Sequence, residues 1–507
     1  MELQVLQFSG INQLLPEIVS GAGSVNTQPP INYAQDGMNF TIVNGQLERA
    51  KSPKEQTLSL TPVGAFLGEF TCTLKGNTIN IVGYGTKLYT INGTVLTEIY
   101  SGLTNGNVLD FSVFGGKIII CNGAEHLEYD GSNVIPVVVT DASHIWNSAK
   151  PKGSFVWAGR LCYWGDSTYP NYIFIPDAAT YNSFTSGLCD VLTIETGYGD
   201  KVTGCEVFTE DIVAVFTENA VARITGTQPV DPSATDPFKT KVITTSLGCI
   251  ATKSIIKVGV DLFFLSTRGL EKFYPTNTYG DVGVSNFFQK IINDVKEFRL
   301  PEYQGDSFSI YDEAQSRCYI YMKTINDNTI KYGIDVNTGE IVEKCYYELN
   351  LTGGIYKAKN LYIGDNSGKY YSFSDNYYDD TESWYEFKWF TGRKSPLSQV
   401  KVWNKLCFLV ETDSSLANLK LQHKRINHTK LDAAYSSINN ALTDTTTLWD
   451  TAVWDTSKWD IKASRILQLN NLKKGNAIKF RVYNNTTNEH YRIKSMELYY
   501  TPIGVCK

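Results

Sequence analysis

Asp261 to Pro275, DLFFLSTRGLEKFYP, reads as one strand, a tight turn and a second strand. Leu262 to Leu265 is an apolar run, Thr267, Arg268 and Gly269 make the turn, and the return strand ends at Phe273 and Tyr274. Glycine suits that turn because it tolerates positive φ, and the aromatic residues suit a pleated surface. The same order recurs in Lys87 to Tyr100, Lys117 to Asp130, Arg160 to Ile175, Asp211 to Thr225, Cys318 to Asp335 and Asn360 to Phe373, which makes seven hairpins.

Their first strands begin 30 to 57 residues apart, a range that brackets four-stranded propeller blades of about 40 to 50 residues. A lone hairpin leaves a face exposed, whereas blades stacked around an axis bury both faces and leave only short edges. The expected fold is therefore all-β: a β-propeller of six to eight blades, seven by the hairpin count, rather than an irregular run of β-sandwich hairpins. A C-terminal β-sandwich of jelly-roll type follows it.

Composition agrees with an all-β chain. The 507 residues exceed what one core normally serves. Aromatics reach 13%, with 31 Tyr, and 40 Gly supply turns, while helical Ala- and Leu-rich segments are nearly absent. Net charge is −6 with no basic block, which argues against tight, salt-sensitive DNA binding. Neither a cationic leader nor a run of about 20 apolar residues is present, so neither a signal peptide nor a membrane span is expected. The ten cysteines form no Cys-x-x-Cys pair and read as buried free thiols, in keeping with assembly in a reducing cytoplasm.

In chain order the reading is an N-terminal arm and closing strand over 1–57, the propeller over 58–394 and the sandwich over 395–507. The arm carries a strand, Asn39 to Val43, turned by Asn44-Gly45. Ser285 to Phe298 has apolar residues at 287, 288, 291, 292 and 295 and predicts a helix, which either patches a blade edge or projects to a neighbouring subunit. Asp375, Asp379, Asp380, Glu382 and Glu386 form an acidic loop. It lacks the glycine of an EF-hand and reads as a solvated linker, with weak cation or partner binding as the rival. Past Lys394, alternating segments at 398–411, 418–423, 465–469, 477–483 and 491–500 read as sandwich strands.

Between those strands stand Trp449, Trp454 and Trp459, each followed by Asp. They suit packing or an interface, or stacking on sugar rings. Residues 461–507 hold nine Lys/Arg against two Glu. Opposite patches of this kind dock neighbours head to tail, the rival being a solvated basic face. Lys473, Lys474 and Lys479, with the three tryptophans, are the candidate interface. No Gly-x-Ser-x-Gly, Gly-x4-Gly-Lys-Ser/Thr or His-Glu-x-x-His motif occurs, and the five histidines are scattered, so no enzyme, metal or cofactor is expected. The alternative is a carbohydrate-binding or carbohydrate-cleaving propeller, with two carboxylates facing the axis that sequence alone does not identify.

The ends of the chain carry a resemblance. Gly10-Ile11-Asn12, an Asn-bearing strand, and the turn Gly45-x-Leu47 followed by Arg49 resemble the opening of tail nozzle or packaged-DNA-stabilisation proteins of short-tailed bacteriophages. The spaced tryptophans and a last strand from Ile493 to Tyr499 resemble the end of the same group. The Arg-Pro-Gly that usually ends the arm motif is replaced, Arg49 being followed by Ala-Lys-Ser-Pro. The resemblance implies a structural virion protein of the viral tail, assembled in the host cytoplasm. It implies a homohexameric ring below the portal and adaptor proteins, which retains packaged DNA, lets the genome pass at ejection without sequence-specific binding, and supports tail fibres or spikes.

Overall fold

The computed structural model describes residues 2–6, 8–13, 18–19, 33–286 and 305–505, apart from 142, 148, 198, 231–232, 277–280, 374–376, 379–380, 391–398, 413–415, 418, 428–429, 433–435, 440–441, 444–464, 471 and 473. Six four-stranded antiparallel sheets stand as separate propeller blades. The first runs Phe66–Leu74, Asn77–Tyr84, Lys87–Asn92 and Val95–Ser101, and the second Asp110–Phe114, Lys117–Cys121, His126–Tyr129 and Val134–Pro136. The third holds Gly153–Trp157, Arg160–Trp164, Tyr172–Ile175 and Asp190–Thr193, and the fourth Val202–Thr209, Ile212–Thr217, Val221–Thr225 and Lys239–Thr244. Ile256–Val258, Asp261–Ser266, Gly269–Pro275 and Val282–Asn286 make the fifth. The last blade is Leu351–Lys357, Asn360–Asp365 and Tyr370–Ser372, completed by Lys54–Glu55 from the other end of the chain.

A further meander, Phe308–Asp312, Arg317–Lys323, Thr329–Asp335 and Glu340–Tyr347, fills the place between the fifth and last blades. Its first strand packs on those of both neighbours, and Leu351–Lys357 meets Phe66–Leu74 to close the ring. Its outer strand does not end the sheet, because Glu340–Tyr347 also pairs with Gly10–Ile11 and with Phe40–Val43 of the arm. One sheet thus runs from the propeller into the C-terminal domain.

The physical cause of the blades is visible in their second strands. Ile212–Thr217 and Arg317–Lys323 are buried at every position, as strands covered on both faces must be. Each large apolar side chain so buried contributes roughly 1.5 to 3 kcal/mol. Gly269 closes the two-residue turn opposite Ser266 with φ +114°.

In the C-terminal domain the strands alternate. Trp403, Leu406, Phe408 and Val410 of Gln399–Thr412 point inward, as do Tyr491, Ile493, Met496, Leu498 and Tyr500 of Tyr491–Val505. Those two long strands pair with one another. Arg465–Asn470 flanks the first, and the arm strands Glu2–Leu6 and Gln46–Arg49 flank the second. The opposing strands are Lys420–Asn427, Ala477–Asn484, Ser383–Phe387 and Tyr33–Met38. Both sets share one apolar core, which continues into Ile320, Tyr332 and Ile334 of the meander they abut.

Two expectations change. The C-terminal sheet begins ahead of 395, because Ser383–Phe387 and Trp389–Phe390 pair with Ala477–Asn484. The arm, read as extended chain with a strand, supplies several strands to that sheet. The predicted helix begins inside the strand Val282–Asn286, and its remainder lies outside the described residues. Nine cysteines are described as free thiols, six of them buried.

Candidate functional site

The arm motif forms a clamp. Asn44 and Gly45 turn the chain with φ of 52° and 74°, which brings Gln46–Arg49 back against Phe40–Val43. Leu47 is fully buried and opposes Ile493 in register. Arg49, 2% exposed, donates to the Asn484 side chain at 3.1 Å, to the carbonyls of Glu489 and Thr381 at 3.1 Å each, and to that of Thr486. A guanidinium with its fork of donors is suited to tie one arm to several loops in this way.

Beside it Glu48 accepts from Arg492 at 2.6 Å, with His490 at 3.4 Å. Burial opposes ionisation of Glu48, but the bonds from His490 and Arg492 outweigh it and lower its pKa. On the propeller side Arg317 donates to Thr41 at 2.7 Å and pairs with Glu343 at 3.2 Å, while Lys331 pairs with the other oxygen of Glu343. Lys331 also lies over the rings of Tyr319 and Phe373, 4.9 Å from each centroid. A polar cleft of about 620 Å³ separates these two clusters.

Of the candidate interface, Trp449, Trp454, Trp459 and Lys473 lie outside the described residues, as do Asp375, Asp379 and Asp380 of the acidic loop. Lys474 is exposed in a short strand beside Val402. Lys479 is 6% exposed and pairs with Glu386 at 2.5 Å, and Arg481 holds the other Glu386 oxygen at 2.7 Å. Neither Lys479 nor Glu386 is therefore a rim charge or a solvated linker residue, because both are locked between adjacent strands. Glu382 is exposed and accepts from Tyr483 at 2.7 Å. Arg492 and Lys494 also face carboxylates of this chain, Glu48 and Glu411. Much of the basic C-terminal excess is thus compensated internally.

The propeller axis holds groups that the sequence did not single out. A cavity of about 660 Å³ is lined by inner strands of the second, third and fourth blades and by loops that lead into the second, third and fifth blades. Asp110 is the first residue of its inner strand and accepts the Ser154 N–H at 2.8 Å. Burial, helped by the charge of Glu206, pushes Asp110 up to about 7. Burial also raises Glu206, against the pull of Lys257. Lys253 donates to the Thr352 carbonyl at 2.8 Å. Burial pushes its amine down to about 8, with Asp306 opposing and Lys323 adding. The available signal was a charged residue inside an inner strand, but only the ring shows which strands are innermost.

Neither a family model nor a curated protein sequence matches the chain. Among solved structures it is similar to BamB from Moraxella catarrhalis, at 11% identity over 66% of this chain and 93% of that one, with a TM-score of 0.37. It is also similar to BBS1N in complex with ARL6DN, at 10% identity over 67% and 98%, with a TM-score of 0.42. YCF48 from Cyanidioschyzon merolae matches at 9% identity over 63% and 98%, with a TM-score of 0.40. Likeness at this level carries no functional argument. No described helix is long and apolar enough to cross a membrane. On its own sheets, the chain is an all-β protein that joins a β-propeller to a C-terminal sheet domain.

Proposed function

We propose that this chain is a structural subunit of a short phage tail, a nozzle component that closes into a ring around the ejection channel. The observation that supports it is where the motif residues from the two ends of the chain meet. Leu47 of the arm pairs with Ile493 of the last strand, and Arg49 ties the arm to the loop before that strand. Two of the segments that resemble the nozzle group, the arm turn and the last strand, therefore build one shared element rather than lying apart.

The propeller cavity of about 660 Å³ is far too small for a duplex. On this reading DNA passes between six subunits, not through a propeller. The arm strands pair with Glu340–Tyr347 and with the last strand and so join the propeller to the sheet domain, which suits a ring under internal pressure. Fibres or spikes then attach to outward loops.

The test is negative-stain microscopy and mass photometry of the full chain, alone and with the portal and adaptor proteins from the same genome. Six-membered rings on the adaptor are expected. A chain that stays monomeric at high concentration and ignores the adaptor overturns the reading.

A further inference from the structure

Charged groups of both signs line the propeller cavity. Lys152 and Lys253 stand in the loops that enter inner strands, Asp110 opens its inner strand, and Glu206 is the fifth residue of its own. Lys152 is exposed, and its stem lies against Gly123 and Gly165. A Cβ at Gly165 would meet that stem at 2.9 Å, and both glycines have positive φ, so the approach needs glycine there. Phe111, Phe155 and Trp164 line the same walls. Phe111 is held by a stacked contact with Phe70, at 5.4 Å and 5°.

The cavity thus brings together an exposed lysine, a second lysine and two carboxylates whose charge burial opposes, and aromatic walls. Its volume falls in the range of small-ligand sites, about 300 to 1,000 Å³. Two carboxylates enclosed together oppose one another's ionisation, and a cation between them relieves that opposition. Lys253 uses one donor on Thr352 and has two more.

We propose that this cavity binds a small zwitterion, an ω-amino acid or an aminoalkyl phosphate, with its ammonium between Asp110 and Glu206 and its anionic end toward Lys152 and Lys253. This site is independent of the tail reading: it needs no second subunit, and its failure leaves ring assembly untouched.

The experiment is calorimetric titration of the full chain at pH 8 with 4-aminobutyrate, 6-aminohexanoate and O-phosphoethanolamine. Butylamine, butyrate and sodium chloride at equal ionic strength serve as controls. One zwitterion is expected to bind saturably, with the single-charge controls at least tenfold weaker. The pair Asp110→Asn and Glu206→Gln abolishes binding. Lys152→Met, at an exposed position that leaves the fold intact, weakens the zwitterion severalfold and leaves butylamine unchanged. Circular dichroism checks that each variant folds, and if the carboxamide pair does not, Lys152→Met alone decides. The proposal is overturned by the absence of saturable binding to all three zwitterions, by butylamine binding as well as they do, or by Lys152→Met leaving every ligand unaffected.

Discussion

The second to fifth blades are antiparallel and the C-terminal sheet is mainly so, with parallel pairs where Gly10–Ile11 meets Tyr33–Met38 and Ile18–Val19 meets Trp389–Phe390, yet they are assembled in opposite ways. Each of those blades is a meander of consecutive strands, so Lys117–Cys121 finds its partners immediately before and after it. In the C-terminal sheet Glu2–Leu6 pairs with residues 496–500, and Gln46–Arg49 with 492–493. The polar chemistry differs in step. Blade cores carry buried thiols such as Cys162 and Cys205, and a buried charge such as Arg160 bonds within its own blade, to the carbonyls of Pro176 and Leu188. The C-terminal sheet is held by charged groups, Arg49 among its acceptors and Glu386 between Lys479 and Arg481. Local pairing closes short loops, whereas joining the chain ends closes a very long one, and directional charged contacts give that distant pairing its register.

The largest expected effect is on the clamp. Arg49→Met leaves several buried acceptors without a donor and should destabilise the C-terminal sheet by about 4 kcal/mol, while the second to fifth blades keep their stability. Hydrogen exchange resolved by peptide is the measurement. Equal loss of protection in both regions would show that the continuous sheet makes them one cooperative unit, and the contrast would fail.

Glu386→Gln comes next, at about 3 kcal/mol, because it strands Lys479 and Arg481 between strands. The loss should again appear in peptides from 383–387 and 477–484. If only ring assembly suffers and the subunit is unchanged, Lys479 acts at an interface after all.

A third prediction concerns pH and belongs to the propeller. His126 is 6% exposed against Trp146 and Tyr163, neither ring nitrogen has a described partner, and burial depresses its pKa to about 3. Its folded pKa lies below the unfolded value near 6.5, so the unfolded chain binds the proton more readily. Its contribution is complete above about pH 6.5 and is lost as pH falls toward 3. The expected loss is about 2 kcal/mol between pH 6 and pH 4.5. Denaturant titrations of wild type and His126→Phe at both pH values should differ by that amount.

The smallest effect is expected at the exposed ion pair of Lys369 with Glu55 of the closing strand, 2.8 Å apart. Removing both side chains should leave the unfolding midpoint unchanged, since solvent screens such pairs. A clear loss would mean that ring closure depends on this contact more than on the packing of Leu351–Lys357 against Phe66–Leu74.

All seven hairpins read from the sequence are present, because alternation and turn glycines are local signals. In six they are the second and third strands of their meanders. Lys87–Asn92 and Val95–Ser101 are instead the third and fourth of the first blade. Inner and outer strands such as Asp110–Phe114 and Val134–Pro136 are short and mixed in pattern, and so were not legible. The fate of Lys479 was hidden for a different reason: charge counted along a segment does not report the strand that lies beside it.

What the sequence by itself determined is the all-β class, the repeat and the position of its hairpins, since strand period and turn chemistry act between residues a few places apart. Tertiary structure alone decided that the arm enters the C-terminal sheet, that Arg49 is its buried anchor, and that Asp110 and Glu206 share one cavity. Each of those facts depends on which distant backbones pair, and pairing partners are chosen by the summed burial and hydrogen bonding of the whole chain rather than by any one segment.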